Sequence, residues 1–255
     1  MTKGAKPTKT TTIPHAAGPI GLVTDPIIQL RAPGGRVMAL DEHTKTFSLG
    51  RDGTCHAVLD LPTVSAVHCF LERRPGALRI IDNHTKNGTH FGGAPVSNFE
   101  LRPGEQCHVG DCPVVALTAP AVAAEPGLRR LLGTRNQPAI DQAMQLALAR
   151  HAIALVGPTG SGHRDLALVL HQASARRARR FVQVRSIAEL SYALEQDPDR
   201  LNHGSLYLHI DDVAGVATSH PQVATILARV AGNASITVFI GTADPHGLLT
   251  HLRMG

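Results

Sequence analysis

Hydrophobic residues in the first half of the chain come in short clusters, none longer than a strand. Val37–Leu40, Ala57–Leu59, His68–Leu71, Leu78–Ile81 and Val114–Leu117 are separated by turn residues such as Pro33-Gly34-Gly35, Pro75-Gly76 and Pro103-Gly104. Short apolar runs punctuated in this way predict an all-β sandwich over residues 26–118. The period then changes. Ile140, Ala143, Met144, Ala147 and Leu148 recur near helical spacing, so Pro138–Ala149 reads as a helix. Helices are also expected over His163–Ala173 and Gln222–Val230, and strands over Ala152–Val156, Phe181–Val184, Ser205–Ile210 and Ile236–Ile240. Strands alternating with helices imply a parallel α/β sheet over residues 136–255. Residues 119–135, which open on an Ala/Pro stretch, read as a linker. Residues 1–25 are rich in Lys, Thr, Pro and Gly without apolar periodicity, and read as a flexible arm.

Composition narrows the class. A chain of 255 residues can hold two modest domains, each with its own core. Hydrophobic content of 43% against 18% charged describes a globular protein. Aromatics are only 3%, with no Trp, so the cores must rest on Val, Leu, Ile and Ala. The net charge of +5 suits an anionic partner but is too mild to point to nucleic acid. Cys55, Cys69, Cys107 and Cys112 form no CxxC pair and have no zinc-ribbon spacing. They read as small buried thiols in a reducing cytosol, and no metal site is expected. No apolar run is long enough to span a membrane, and the N-terminus lacks a signal-peptide core, so the expectation is a cytoplasmic protein with no membrane partner.

The densest run of candidate chemistry lies between Phe47 and Gly110. Gly50-Arg51 is followed by Ser65-Ala66-Val67-His68, Asp82, Asn87-Gly88-Thr89, Leu101-Arg102-Pro103-Gly104-Glu105 and Val109-Gly110. This order and spacing resembles the forkhead-associated (FHA) domain, a β-sandwich that binds phosphothreonine peptides. A guanidinium offers a planar fork to two phosphate oxygens, which suits Arg51, and the Ser65 hydroxyl can donate to a third. The resemblance carries the phosphate-holding roles onto Arg51 and Ser65, and peptide-backbone contact onto Asn87, with Thr89 included in the peptide site. Gly50, His68 and Gly88 take structural roles in it. Lys86 stands where the family often has Ser or Thr, and reads either as a second phosphate cation or as a solvated loop charge. Ala66 and Gly92-Gly93 also depart from the pattern, which leaves the peptide preference unreadable. The expected partner is a phosphothreonine-containing protein of a Ser/Thr-kinase pathway. Thr10, Thr11 and Thr12, with Ile13 three residues after Thr10, offer the chain's own N-terminal arm as an alternative ligand, or simply a polar tail.

A second constellation, Ala154-Leu155-Val156-Gly157-Pro158-Thr159-Gly160-Ser161-Gly162-His163-Arg164, has the strand, glycine loop and helix start of a P-loop. In that motif backbone N–H groups cradle phosphate and a Lys reaches the terminal phosphates. Here His163 holds the Lys position and Arg164 the next, so the terminal-phosphate contact is lost. His171-Gln172-Ala173-Ser174-Ala175-Arg176, Phe181-Val182 and His203-Gly204-Ser205-Leu206-Tyr207-Leu208 are then similar to the AAA+ domain of sigma-54-dependent transcriptional activators. The segment that would carry the sigma-contact loop in that family is absent, and no arginine-finger region, lid or DNA-binding helix-turn-helix follows residue 244. His209 and Ile210 align with the Walker B acids; a two-residue slip substitutes Asp211-Asp212, of which Asp211 would hold Mg²⁺. Gly157, Thr159, Gly160, Gly162, His163, Arg164 and Asp211 are therefore a vestigial nucleotide site. No cofactor or catalytic residue is expected, and weak ATP/Mg²⁺ binding stays open. Arg176, Arg177, Arg179 and Arg180 read as a solvated basic surface or as a contact for an acidic partner.

Together these resemblances imply a bacterial two-domain adaptor: an all-β FHA sandwich followed by an α/β P-loop, AAA+-like sheet without its lid. An ATP-binding, sigma-54-interacting regulator would be told apart by ATP turnover. A phosphate-independent scaffold would bind its partner equally before and after phosphatase treatment.

Overall fold

A computed structural model describes residues 25–148, 152–196, 204–212, 215–216, 225 and 237–248. But for Asp25 and Thr225, the arm expected over residues 1–25 and the helix expected over Gln222–Val230 lie outside these. The described chain forms two compact units that meet in sequence at Ala119 and Pro120.

The first unit is all β. Its strands are β1 (Ile27–Ala32), β2 (Arg36–Ala39), β3 (Thr46–Gly50), β4 (Ala57–Val58), β5 (Cys69–Arg74) and β6 (Ala77–Asp82), then β7 (Thr89–Phe91), β8 (Ala94–Val96), β9 (Asn98–Leu101), β10 (Gln106–Val109) and β11 (Cys112–Thr118). They make a sheet in the order β2-β1-β11-β10-β7-β8 and another in the order β4-β3-β5-β6-β9. Pairing is antiparallel except between β3 and β4. Alternation places Phe47 and Leu49, Cys69 and Leu71, Leu78 and Ile80, and Phe99 and Leu101 on the inner face of one sheet. Leu30, Cys107, Val109, Val114 and Ala116 join them from the other, making one core of mainly aliphatic side chains with Phe47 and Phe99 among them. The β7–β8 hairpin turns on Gly92 and Gly93, with φ of 60° and 81°, the double left-handed turn whose twist matches its strands.

Arg73, near the end of β5, closes one end of the sandwich. Its guanidinium donates to the carbonyls of Thr44 (3.1 Å), Ile27 (2.7 Å), Leu40 (3.1 Å) and Asp41 (2.8 Å) and lies over the Phe47 ring. The loops that carry Arg51, Ser65 and Asn87 gather at the other end of β5, beside Cys69.

The second unit is built on a parallel sheet of β12 (Ile153–Val156), β13 (Phe181–Val184), β14 (Ser205–His209) and β15 (Thr237–Thr242), in the order β12-β15-β14-β13. Its helices are α1 (Ala119–Ala123), α2 (Glu125–Leu132), α3 (Gln137–Leu148), α4 (His163–Ala173) and α5 (Ile187–Gln196). Helix α4 packs on β12, β14 and β15, and α5 on β13. The linker expected over residues 119–135 is corrected: α1 and α2 occupy most of it and bury Ala121 and Leu128. Arg129 ties α2 down by bonding Glu125, the Thr134 carbonyl and Gln137. The solvated reading of the arginine cluster also fails for Arg176, which is 2% exposed and donates to Thr237 Oγ1 at 3.1 Å. His171, likewise buried, places Nδ1 2.8 Å from Ser205 Oγ. The two side chains anchor the α4 end to the starts of β14 and β15.

Candidate functional site

Strand β3 ends at Gly50, where a side chain is sterically forbidden. A Cβ there would strike the backbone of Ala66 and Val67. That close approach lets two loops run together: Arg51 N–H donates to Ser65 O (2.9 Å) and Asp52 N–H to Ala66 O (3.0 Å). The Arg51 side chain is exposed and fixed by a single bond, Nε to Val64 O at 3.3 Å. Its terminal guanidinium nitrogens have no partner among the described residues. Asp52 accepts from the Thr54 N–H and hydroxyl, both at 2.9 Å. Those two bonds hold the Asp52 carboxyl below its usual range.

Ser65 is half-buried, and its backbone is committed on both sides. Its N–H donates to His68 Nδ1 at 3.1 Å. The His68 proton is therefore on Nε2, which faces Gly88 O at 3.1 Å and Thr85 Oγ1 at 3.2 Å. His68 is fully buried. Burial holds its imidazole below the usual histidine range, against the opposing pull of the Gly88 carbonyl and Asp82. One neutral ring thus joins the loop carrying Ser65 to the loop carrying Lys86 and Asn87.

That third loop is organised by Asp82. Its carboxylate accepts from Thr85 N–H (3.0 Å), the Thr85 hydroxyl (2.8 Å) and the Thr89 hydroxyl (2.9 Å). His84 adopts φ 52°, an unusual left-handed conformation for a non-glycine, and Gly88 adopts φ 71°. Asn87 donates through Nδ2 to Thr63 O at 2.8 Å, bracing its loop against the one before Ser65. Lys86 and Asn87 are exposed.

Arg51, Ser65, Lys86 and Asn87 are thereby brought to one end of the sandwich. Thr89 is not among them: it is 1% exposed with its hydroxyl given to Asp82, which corrects its placement in the peptide-facing set. Thr85, not singled out from the sequence, is the hub between His68 and Asp82. Its signal was its position three residues after an Asp, the spacing of an Asp-capped turn. The exposed face of the site offers a cation, a hydroxyl, a second cation and an amide, which is the chemistry of oxyanion capture.

The glycine loop of the second unit runs from β12 into α4, with Gly160 and Gly162 both at φ 84°. Thr159 donates to Asp211 Oδ1 at 2.7 Å, and His209 Nε2 meets the same oxygen at 2.8 Å. Arg164 turns outward to Gln183 and Asp165. His163 is 7% exposed and folds back, with Nε2 3.1 Å from Ser161 Oγ and its ring 5.4 Å from that of His209. Burial and His209 hold the His163 imidazole below its usual range, while Asp211 opposes them. Asp211, the candidate metal carboxylate, is bonded by Thr159 of the glycine loop and by His209, and His163 stands at the Lys position. Among the described residues no cluster of three or more His, Cys, Asp or Glu is arranged to hold a metal.

The family model for the FHA domain matches residues 47–110, so the first unit is an FHA domain. No curated protein matches the chain. Among solved structures, EmbR of Mycobacterium tuberculosis in complex with a low-affinity phosphopeptide is 23% identical, covering 34% of this chain and 23% of its own, at a TM-score of 0.32. The FHA domain of CT664 from Chlamydia trachomatis is 20% identical over 34% of this chain and 93% of its own, also at 0.32. The FHA domain of an Arabidopsis thaliana hypothetical protein is 18% identical over 41% and 94%, at 0.33.

Proposed function

We propose that the protein is a phosphothreonine-dependent signalling adaptor of a Ser/Thr-kinase pathway, and that its FHA domain captures the phosphorylated partner. The observation that carries this reading is the pairing of Arg51 with Ser65. The two loops are joined backbone to backbone, so the residues that carry the guanidinium and the hydroxyl are neighbours, and the buried His68 accepts from the Ser65 N–H. In this reading Arg51 takes two phosphate oxygens and Ser65 a third. Lys86 adds charge at the rim, and Asn87 orients the peptide backbone. The partner is a phosphothreonine-containing protein or the chain's own Thr10–Thr12 arm.

The second unit serves as a protein-contact scaffold of AAA+ type that has given up nucleotide chemistry. What supports this is the engagement of Thr159 with Asp211 and the burial of His163. Panning against a phosphothreonine peptide library tests the adaptor reading, with the same library dephosphorylated as control. Enrichment confined to phosphorylated sequences is expected, and equal retention of both libraries would leave a phosphate-independent scaffold instead.

A further inference from the structure

Of the chain's six asparagines, Asn87 alone precedes a glycine. A glycine nitrogen has no Cβ beside it, so the carboxamide carbon of the residue before can reach it. The fold leaves this pair open. The Asn87 side chain is exposed and is held by one bond among the described residues, Nδ2 to Thr63 O at 2.8 Å. Gly88 adopts φ 71°, and its carbonyl is committed: it accepts from Gly110 N–H at 3.1 Å and faces His68 Nε2 at 3.1 Å. Its N–H, by contrast, has no acceptor among the described residues.

We propose that Asn87-Gly88 is a self-modification site, at which the chain converts its own asparagine to aspartate and isoaspartate, and that the conversion ends peptide capture. The Gly88 nitrogen attacks Cγ of Asn87. The new N–Cγ bond closes a cyclic succinimide, the Cγ–Nδ2 bond breaks, and ammonia leaves with the proton given up by Gly88 N–H. Water then opens the ring at one of its two carbonyls. One opening gives aspartate, and the other gives isoaspartate, in which the main chain runs through Cγ. Nothing is oxidised or reduced, and water is the co-reactant. Asp52-Gly53 has the same pairing but not the same reactivity. The two bonds from Thr54 keep the Asp52 carboxyl ionised, and a carboxylate is a poor target for a nitrogen nucleophile.

Both products replace the Nδ2–H donor by a carboxylate oxygen, which would face the Thr63 carbonyl acceptor against acceptor. Both also place a negative charge next to Lys86, on a loop whose ligand would itself be an anion. Isoaspartate further lengthens the main chain between Lys86 and Thr89. The loss of capture rests on the phosphopeptide reading of this end of the sandwich, whereas the covalent step does not.

The test holds the folded, whole chain in mildly alkaline buffer and samples it over days. Peptide mapping by mass spectrometry should show aspartate and isoaspartate accumulating at position 87, while Asn83, Asn98 and Asn136 stay intact. Asn87→Gln, whose longer side chain closes the ring poorly, should stay intact as well. Anion exchange separates converted from unconverted protein by the added charge. The converted fraction should bind a library-selected phosphothreonine peptide at least about tenfold more weakly than the unconverted fraction. Absence of conversion at Asn87 in the folded protein overturns the proposal, whether or not the urea-unfolded chain converts there. Equal peptide affinity of the two fractions overturns its functional half. Conversion at Asn87 in a protein of which neither fraction binds phosphopeptide upholds the modification site and removes the reader assignment instead.

Discussion

His68 carries more of the site than any residue that would touch a ligand. Its neutral ring accepts from Ser65 N–H and faces Gly88 O, and protonation would place an N–H where that acceptor is required. The unfolded chain takes up this proton near pH 6.5, whereas the folded one, with its imidazole held lower by burial, takes it up only in more acid solution. The stabilisation from the neutral ring is complete above that pH and is lost as pH falls toward the lowered folded value. Urea unfolding between pH 7 and pH 5 should show stability dropping with acid, and His68→Gln should flatten the drop. A profile unchanged by the substitution would mean that the ring is not held neutral by these contacts. The resemblance to the FHA domain gave His68 a structural role in the sequence, and the ring's contacts with Ser65 N–H and Gly88 O say what that role is. Thr89 was misread for a physical reason: nothing in Asn-Gly-Thr reveals whether its hydroxyl turns outward to a ligand or inward to Asp82.

At the scale of elements, the site depends on β3 ending where two backbones nearly touch. Gly50→Ala must force the β3 end away from Ala66 and Val67, separating Arg51 from Ser65. It should cost at least about 2 kcal/mol of stability, with weakened phosphopeptide binding. Gly53→Ala is the control, because a Cβ at Gly53 meets nothing within 4 Å, and its effect should stay within about 0.5 kcal/mol. Equal effects of the two substitutions would show that the close approach is not what holds the loops. Long periodic elements such as α3, α4 and the four parallel strands were readable within a few residues. α2 was not, because its Ala/Pro-rich approach resembles linker and its stability comes from Leu128 burial and the Glu125–Arg129–Gln137 network. α5 was also missed, although Ser186 caps it by accepting from Glu189 N–H at 3.1 Å, a Ser-x-x-Glu start present in the sequence. Short strands such as β7 and β8 escaped because three residues cannot establish a period.

For the whole molecule, one chain joins an FHA domain whose loops carry Arg51, Ser65, Lys86 and Asn87 to a second unit in which Thr159 and His209 both bond Asp211. The protein should show no ATP turnover. His163→Lys should not create turnover, since it restores a cation but leaves Thr159 and His209 on Asp211. Phosphate release above background by the unsubstituted protein would contradict this and return the second unit to the enzymes.

The most direct test of the central claim is the affinity of a phosphothreonine peptide, taken from the library, for the protein and for Arg51→Ala. Each charge-assisted bond to phosphate contributes about 1.5–3 kcal/mol, so the substitution should weaken binding by at least tenfold and bring it close to that of the unphosphorylated peptide. Undiminished binding by Arg51→Ala would contradict the account, because the cation presented beside Ser65 would then not be the group that reads the phosphate.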